Sequence, residues 1–185
     1  LVLSTLFFAV FAVASQAQSG SLFLMGNLEV STSKYESGSK ETNFGFNPYV
    51  GYQFNDNWTA GILLDMGFSR YKTSLSNEVF KESYTGGGIF GRYSIPLSDR
   101  FSFFGQGEVA FGSENEDESK STYSWVDIYP GVQMHIQNGW ALNFSFGGIH
   151  FNSWKDEGAS NARTSLGLSL GEAFKFGFSK NIGLQ

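Results

Sequence analysis

From Leu166 to Leu184 apolar residues fill almost every even position: Leu166, Leu168, Leu170, Phe174, Phe176, Phe178, Ile182 and Leu184. The odd positions between them carry Gly, Ser, Ala, Lys and Asn, and only Glu172 and Lys180 break the even set. Successive side chains of a strand point to opposite faces, so this period of two predicts a strand with one apolar face and one small or polar face. The same alternation recurs along the chain. It predicts strands over about Ser21–Ser33, Phe44–Phe54, Trp58–Tyr71, Tyr84–Ile95, Phe101–Gly112, Tyr123–Gln137, Trp140–Phe151 and Leu166–Lys180. In the seventh, Trp140, Leu142, Phe144 and Phe146 give way to Ile149 and Phe151 after Gly147-Gly148, a phase shift that reads as a β-bulge.

The connections alternate in kind. Asn55-Asp56-Asn57, Leu97–Arg100 and Gln137-Asn138-Gly139 read as tight turns, Asn-Gly being a strong hairpin signal. Polar loops are expected between them at Lys34–Asn43, Lys72–Ser83, Ser113–Thr122 and Ser153–Ala162. An even number of antiparallel strands, with short turns at one end and longer loops at the other, predicts an all-β, eight-stranded up-and-down transmembrane barrel with periplasmic turns and extracellular loops.

Alternation alone also fits a soluble lipocalin-like barrel, which is apolar inside and polar outside. The polar face separates the two. A water-facing exterior carries many Lys and Glu, whereas here that face is mostly Gly, Ser, Asn, Gln and Tyr, which suits a cramped lumen. Its few charges have both signs: Glu29, Asp65, Glu108 and Asp127 against Arg92 and Lys175, with Arg163 a further candidate. Buried charges need partners, so these are expected to form a lumenal network of salt bridges and hydrogen bonds. Trp58 and Trp140 follow tight turns, and Trp125 and Trp154 lie near the long loops. Together they are expected to form the interfacial aromatic girdle.

Composition strengthens the membrane reading. Aromatic residues make up 17% of the 185 residues, 20 of them Phe, beside 23 Gly, 3 Pro and no Cys. Charged residues are only 16%, below the roughly 25% of soluble domains. The net charge of −5 disfavours nucleic acid as a partner. Leu1–Val13 is apolar and is followed by Ser15-Gln16-Ala17, a small-x-small site. Residues 1–17 therefore read as an export leader and 18–185 as the barrel domain.

With these residues in place, the chain resembles the small outer-membrane β-barrel domain proteins of Bacteroidetes-type bacteria. They are similar to outer membrane protein X and to the barrel of outer membrane protein A. The resemblance covers roughly Gln18 to the end and is strongest in Gly147–Lys180, GGIHFNSWKDEGASNARTSLGLSLGEAFKFGFSK. It implies location in the bacterial outer membrane, contact with outer-membrane lipid and lipopolysaccharide, insertion by the barrel assembly machinery, and a monomer.

Candidate chemistry is sparse. His150-Phe151-Asn152-Ser153 is faintly similar to a His-x-Ser-Asn stretch of outer-membrane lipid A deacylases, and Ser153, His150 and Glu157 supply the residue types of a nucleophile, base and acid. Asn152 stands where that family has its Ser, and the simpler reading is a strand-end histidine beside a polar loop. His135 reads as a hydrogen-bonded lumen residue. The acidic run Glu114–Glu118 lacks the EF-hand spacing and reads as a solvated loop. Gly86-Gly87-Gly88 lacks the Lys and helix of a phosphate loop. The expectation is a barrel with no catalytic, cofactor or metal site, its lumen filled by side chains and so not a general porin. Its role would be structural, in envelope integrity, or interactive through its loops. The alternatives are a lipid-modifying enzyme, a narrow channel or the soluble barrel.

Overall fold

A computed structural model describes residues 20–35, 37–73, 79–116 and 119–183, with the side chains of 116 and 170–175 left out. The expected leader at 1–17 lies outside the described residues. Eight strands follow one another: β1 (Ser21–Lys34), β2 (Lys40–Gln53), β3 (Trp58–Lys72), β4 (Val79–Pro96), β5 (Phe101–Glu116), β6 (Ser119–His135), β7 (Trp140–Asp156) and β8 (Arg163–Gly183). Each pairs antiparallel with the next, and β8 returns to β1 to close the barrel.

The alternation resolves into an inside and an outside. Leu28, Ile89 and Leu166 are 67%, 64% and 76% exposed on the outer face. With them stand Ile62, Leu64, Phe68, Phe103, Phe111, Ile128, Phe176 and Phe178. A continuous apolar belt of this extent is stable only against lipid. The opposite phase is buried in the lumen and includes Phe23, Leu63, Phe90, Phe104, Gln106, Glu108, Arg92 and Asn143. Lumen glycines make room for these rings. A Cβ on Gly112 would stand 2.3 Å from the Tyr123 ring, and one on Gly131 would stand 2.3 Å from the Phe104 ring.

Two local conformations follow from sequence. Asn138 and Gly139 both have positive φ (53° and 76°), and Trp140 N–H donates to the Gln137 carbonyl at 3.0 Å. That is the I′-type turn whose twist matches paired strands. Gly147 and Gly148, with φ of 50° and 143°, carry the phase shift. The β6–β7 register jumps between Ile128 and Gly131, and the β7–β8 register between Phe146 and Gly148.

The hairpins at the loop end are longer than the apolar pattern predicts. β2 begins at Lys40, β4 at Val79, β6 at Ser119, and β7 runs to Asp156. Backbone pairing needs no apolar face, so Thr-, Ser- and Tyr-bearing ladders such as Thr42↔Arg70 and Thr85↔Ser113 continue past the lipid belt. Glu114, Asn115 and Glu116 thus belong to β5, while 117–118 lie outside the described residues. β8 also continues past Lys180 to Gly183, where Ile182 pairs with Leu22, so Ile182 belongs to the closing strand.

The closing seam is short. β1 and β8 pair only from Ser21↔Gly183 to Gly26↔Phe178. Above that point β1 pairs with β2 as far as Lys34, and β8 pairs with β7 as far as Arg163, with no β1–β8 pairing among the described residues. The outward residues Leu28, Val30, Leu166 and Leu168 flank this stretch, so it opens within the outer half of the apolar belt.

Candidate functional site: a polar ladder inside the barrel

Every second residue of each strand points inward, so polar residues of different strands meet in layers along the barrel axis. At the turn end Ser102 Oγ lies 2.9 Å from His135 Nε2. Above it Ser179 Oγ accepts from Gln133 Nε2 at 3.1 Å and Asn143 Nδ2 at 2.8 Å.

The next layer is built on Arg92, which is 2% exposed. Its Nε donates to Gln106 Oε1 at 2.6 Å and its Nη1 to Asn143 Oδ1 at 2.9 Å, and its Nη2 lies 3.1 Å from Met25 Sδ. Its guanidinium carbon lies 4.0 Å from the Phe104 ring centroid and 4.9 Å from that of Phe23. A planar, weakly hydrated cation can be held this way, by a fork of acceptors and by ring faces. Gln106 Nε2 passes the contact on to Glu108 Oε1 at 2.5 Å and to the Tyr129 hydroxyl at 2.8 Å. Tyr129 donates to Glu108 Oε1, and Tyr49 donates to Glu108 Oε2 at 3.1 Å. The space left beside Met25, Asn27, Tyr49, Arg92 and Glu108 is about 30 Å³. That admits a water or two.

Further out, Asp65 accepts from Asn47 Nδ2 at 2.5 Å and from the Tyr123 hydroxyl at 3.0 Å. Asp127 and His150 are paired residues of β6 and β7, with His150 Nδ1 2.9 Å from Asp127 Oδ1. His150 Nε2 lies 3.1 Å from Ser169 Oγ of β8.

The charges of the lumen are joined partly through neutral side chains. Arg92 and Glu108 are bridged by Gln106 rather than touching. His150 and Asp127 pair directly, as do Arg163 and Asp156, exposed at a hairpin tip. Glu29 is exposed toward the loop end of the lumen, and the Lys175 side chain lies outside the described residues. The aromatic girdle also needs correction. Trp58, exposed, packs on Tyr93 at 4.9 Å, and Trp140 lies under Lys180 Nζ at 4.9 Å; both stand in the outward phase just after turns. Trp125 shares the inward phase of Asp127 and packs against the lumen cluster of Phe23, Met25, Tyr49, Leu63, Phe90 and Ala110. Trp154 pairs with Tyr123, whose hydroxyl points inward to Asp65, and their rings lie 5.6 Å apart. Trp125 and Trp154 are therefore lumen and mouth residues.

The sequence trio Ser153, His150 and Glu157 is not brought together, because His150 turns inward to Asp127 and Ser169. No cluster of His, Cys, Asp or Glu able to hold a metal occurs among the described residues. Sequence reasoning missed the lumen partners Met25, Phe23, Phe104 and Asn143. Their signal was available in the inward phase of β1, β5 and β7.

The comparisons with known proteins agree with this architecture. The crystal structure of the outer membrane protein OprG from Pseudomonas aeruginosa is similar in fold: TM-score 0.55 at 12% identity, covering 91% of this chain and 98% of that one. No curated protein matches the chain. The model of the outer membrane protein beta-barrel domain matches residues 3–176, and the chain therefore belongs to that family, as a barrel of the bacterial outer membrane.

Proposed function

We propose that this barrel is a structural and surface-interaction element of the outer membrane and not a general porin. The observation that carries the reading is the Arg92 layer, where a buried guanidinium held by Gln106, Asn143 and two rings fills the lumen. The four extended hairpins then form its interactive surface, and lipopolysaccharide and a cell-surface partner are its contacts. The chain acts as a monomer inserted by the barrel assembly machinery. The composition of the Gly147–Lys180 hairpin favours placement among the Bacteroidetes-type small barrels similar to outer membrane proteins X and A.

The test pairs conductance with envelope integrity. In planar bilayers the purified barrel is expected to give no porin-sized steps. A deletion strain is expected to become more sensitive to detergent and to large antibiotics, with recovery on complementation. Large stable conductance together with an unaltered deletion strain would reject the reading.

A further inference from the structure

The geometry points to Asp127, His150 and Ser169 as a hydrolytic site for the carboxylic esters of outer-leaflet lipids, reached through the open part of the β1–β8 seam. Three observations converge. The first is the relay itself: Asp127 Oδ1 to His150 Nδ1 at 2.9 Å and His150 Nε2 to Ser169 Oγ at 3.1 Å. The tautomer that donates Nδ1–H to the carboxylate leaves Nε2 as the acceptor of the serine proton. This is the arrangement that activates a hydroxyl nucleophile on unrelated folds.

The second is access. The side chains of His150 and Asp127 are 24% and 16% exposed, unlike the closed Arg92 layer below. Residues 163–168 of β8 are exposed on both faces, and the β1–β8 ladder stops at Gly26↔Phe178. Leu28 and Val30 on one lip, with Leu166 and Leu168 on the other, are exposed apolar residues. An acyl chain can lie against them while its ester enters toward Ser169, two residues from Gly167 on the same inward phase.

The third is the backbone beside the nucleophile. Between Gly148↔Ser169 and Phe146↔Phe174, β7 supplies one residue and β8 supplies four. One residue cannot pair with four, so β8 bulges directly after Ser169. Bulges are over-represented beside active sites, where they re-aim a side chain.

The step balances without a cofactor. Ser169 Oγ bonds to the ester carbonyl carbon as its proton passes to His150 Nε2. The carbon–alkoxy bond then breaks, and the leaving alcohol takes that proton. Water attacks the acyl-serine, gives a proton to His150, and the carboxylic acid leaves as Ser169 regains its proton. Asp127 holds the imidazole in the required tautomer and faces the imidazolium. This activity is separate from the envelope role, which rests on the Arg92 layer.

The full-length barrel, folded in micelles and checked by heat-modifiable migration, is treated with a long-chain alkyl fluorophosphonate and mapped by mass spectrometry. Phosphonylation is expected at Ser169, with loss of about 10³-fold in rate in Ser169→Ala and His150→Ala. His150→Gln keeps a donor to Asp127 and controls for folding; it is expected to fold and remain unlabelled. Ser169→Cys, which retains a nucleophile, is expected to react with an acyl-directed thiol label. In turnover, p-nitrophenyl dodecanoate and fatty-acid release from phospholipid vesicles are expected to exceed p-nitrophenyl acetate. Hydrolysis of the acetate alone would overturn the lipid route. A folded barrel that is unlabelled, or labelled equally in Ser169→Ala, would overturn the site.

Discussion

Phe176→Arg is expected to cost the inserted barrel about 2–4 kcal/mol, the penalty for a cation near the middle of the lipid-facing belt. Phe176 is half exposed on the outer face and packs against the rings of Phe144 at 5.5 Å and Phe178 at 5.0 Å. It stands four positions before Lys180, which lies over Trp140 at the turn-end interface. At a strand rise of ~3.3 Å and a tilt of ~45°, that places it about 9 Å up the barrel, close to the midplane. Folding into vesicles against urea, read by gel mobility and by tryptophan emission, measures the loss. Phe176→Leu, which keeps an apolar side chain, is expected to stay close to wild type.

Arg92→Ala is expected to destabilise by about 3–5 kcal/mol, the cost of removing one member of a buried charged network. Two penalties combine in it. Gln106 Oε1 and Asn143 Oδ1 lose a charged donor each, and Glu108 keeps its Tyr49, Tyr129 and Gln106 donors but loses the nearby cation. The rings of Phe23 and Phe104 also lose the plane between them. Arg92→Lys is expected to recover little, since an ammonium cannot make the fork to Gln106 and Asn143 while stacking on both rings. The same urea titration measures both variants.

Period-two alternation carried most of the architecture. Because a strand reveals its two faces directly, eight segments, the Asn138-Gly139 hairpin and the Gly147-Gly148 shift were legible from residue order. So was the orientation, since Arg92, Glu108 and Asp127 all fall in the phase opposite the outer aromatics. What alternation could not provide was how far a ladder runs once its outer face turns polar. The extensions at Lys40–Asn43, Val79–Ser83 and Ser153–Asp156 pair through backbone groups that leave no hydrophobic mark.

The chemistry was harder to read, for a geometric reason. Residues three apart on a strand point to opposite faces, so Ser153 cannot serve His150, and that much was already in the spacing. The true neighbours, Asp127 and Ser169, are 23 and 19 positions away. Their meeting depends on the β6–β7 and β7–β8 registers, which no local pattern encodes. Proximity to the loops points Trp125 and Trp154 to the girdle, whereas phase, applied to Asp127 and carried across the Tyr123↔Trp154 pair, puts both on the inner face.

The central claim is that this chain is a membrane barrel with its aromatic phase toward lipid, and the absence of native cysteine allows a direct measurement. Single cysteines at Phe176 and Phe178 on one face, and at Ser165 on the other, are coupled to an environment-sensitive fluorophore in protein folded into vesicles. Emission at 176 and 178 is expected to be blue-shifted and quenched by spin-labelled lipid, and emission at 165 to be quenched by aqueous iodide. Iodide quenching at 176 and 178, with lipid quenching at 165, would contradict the account.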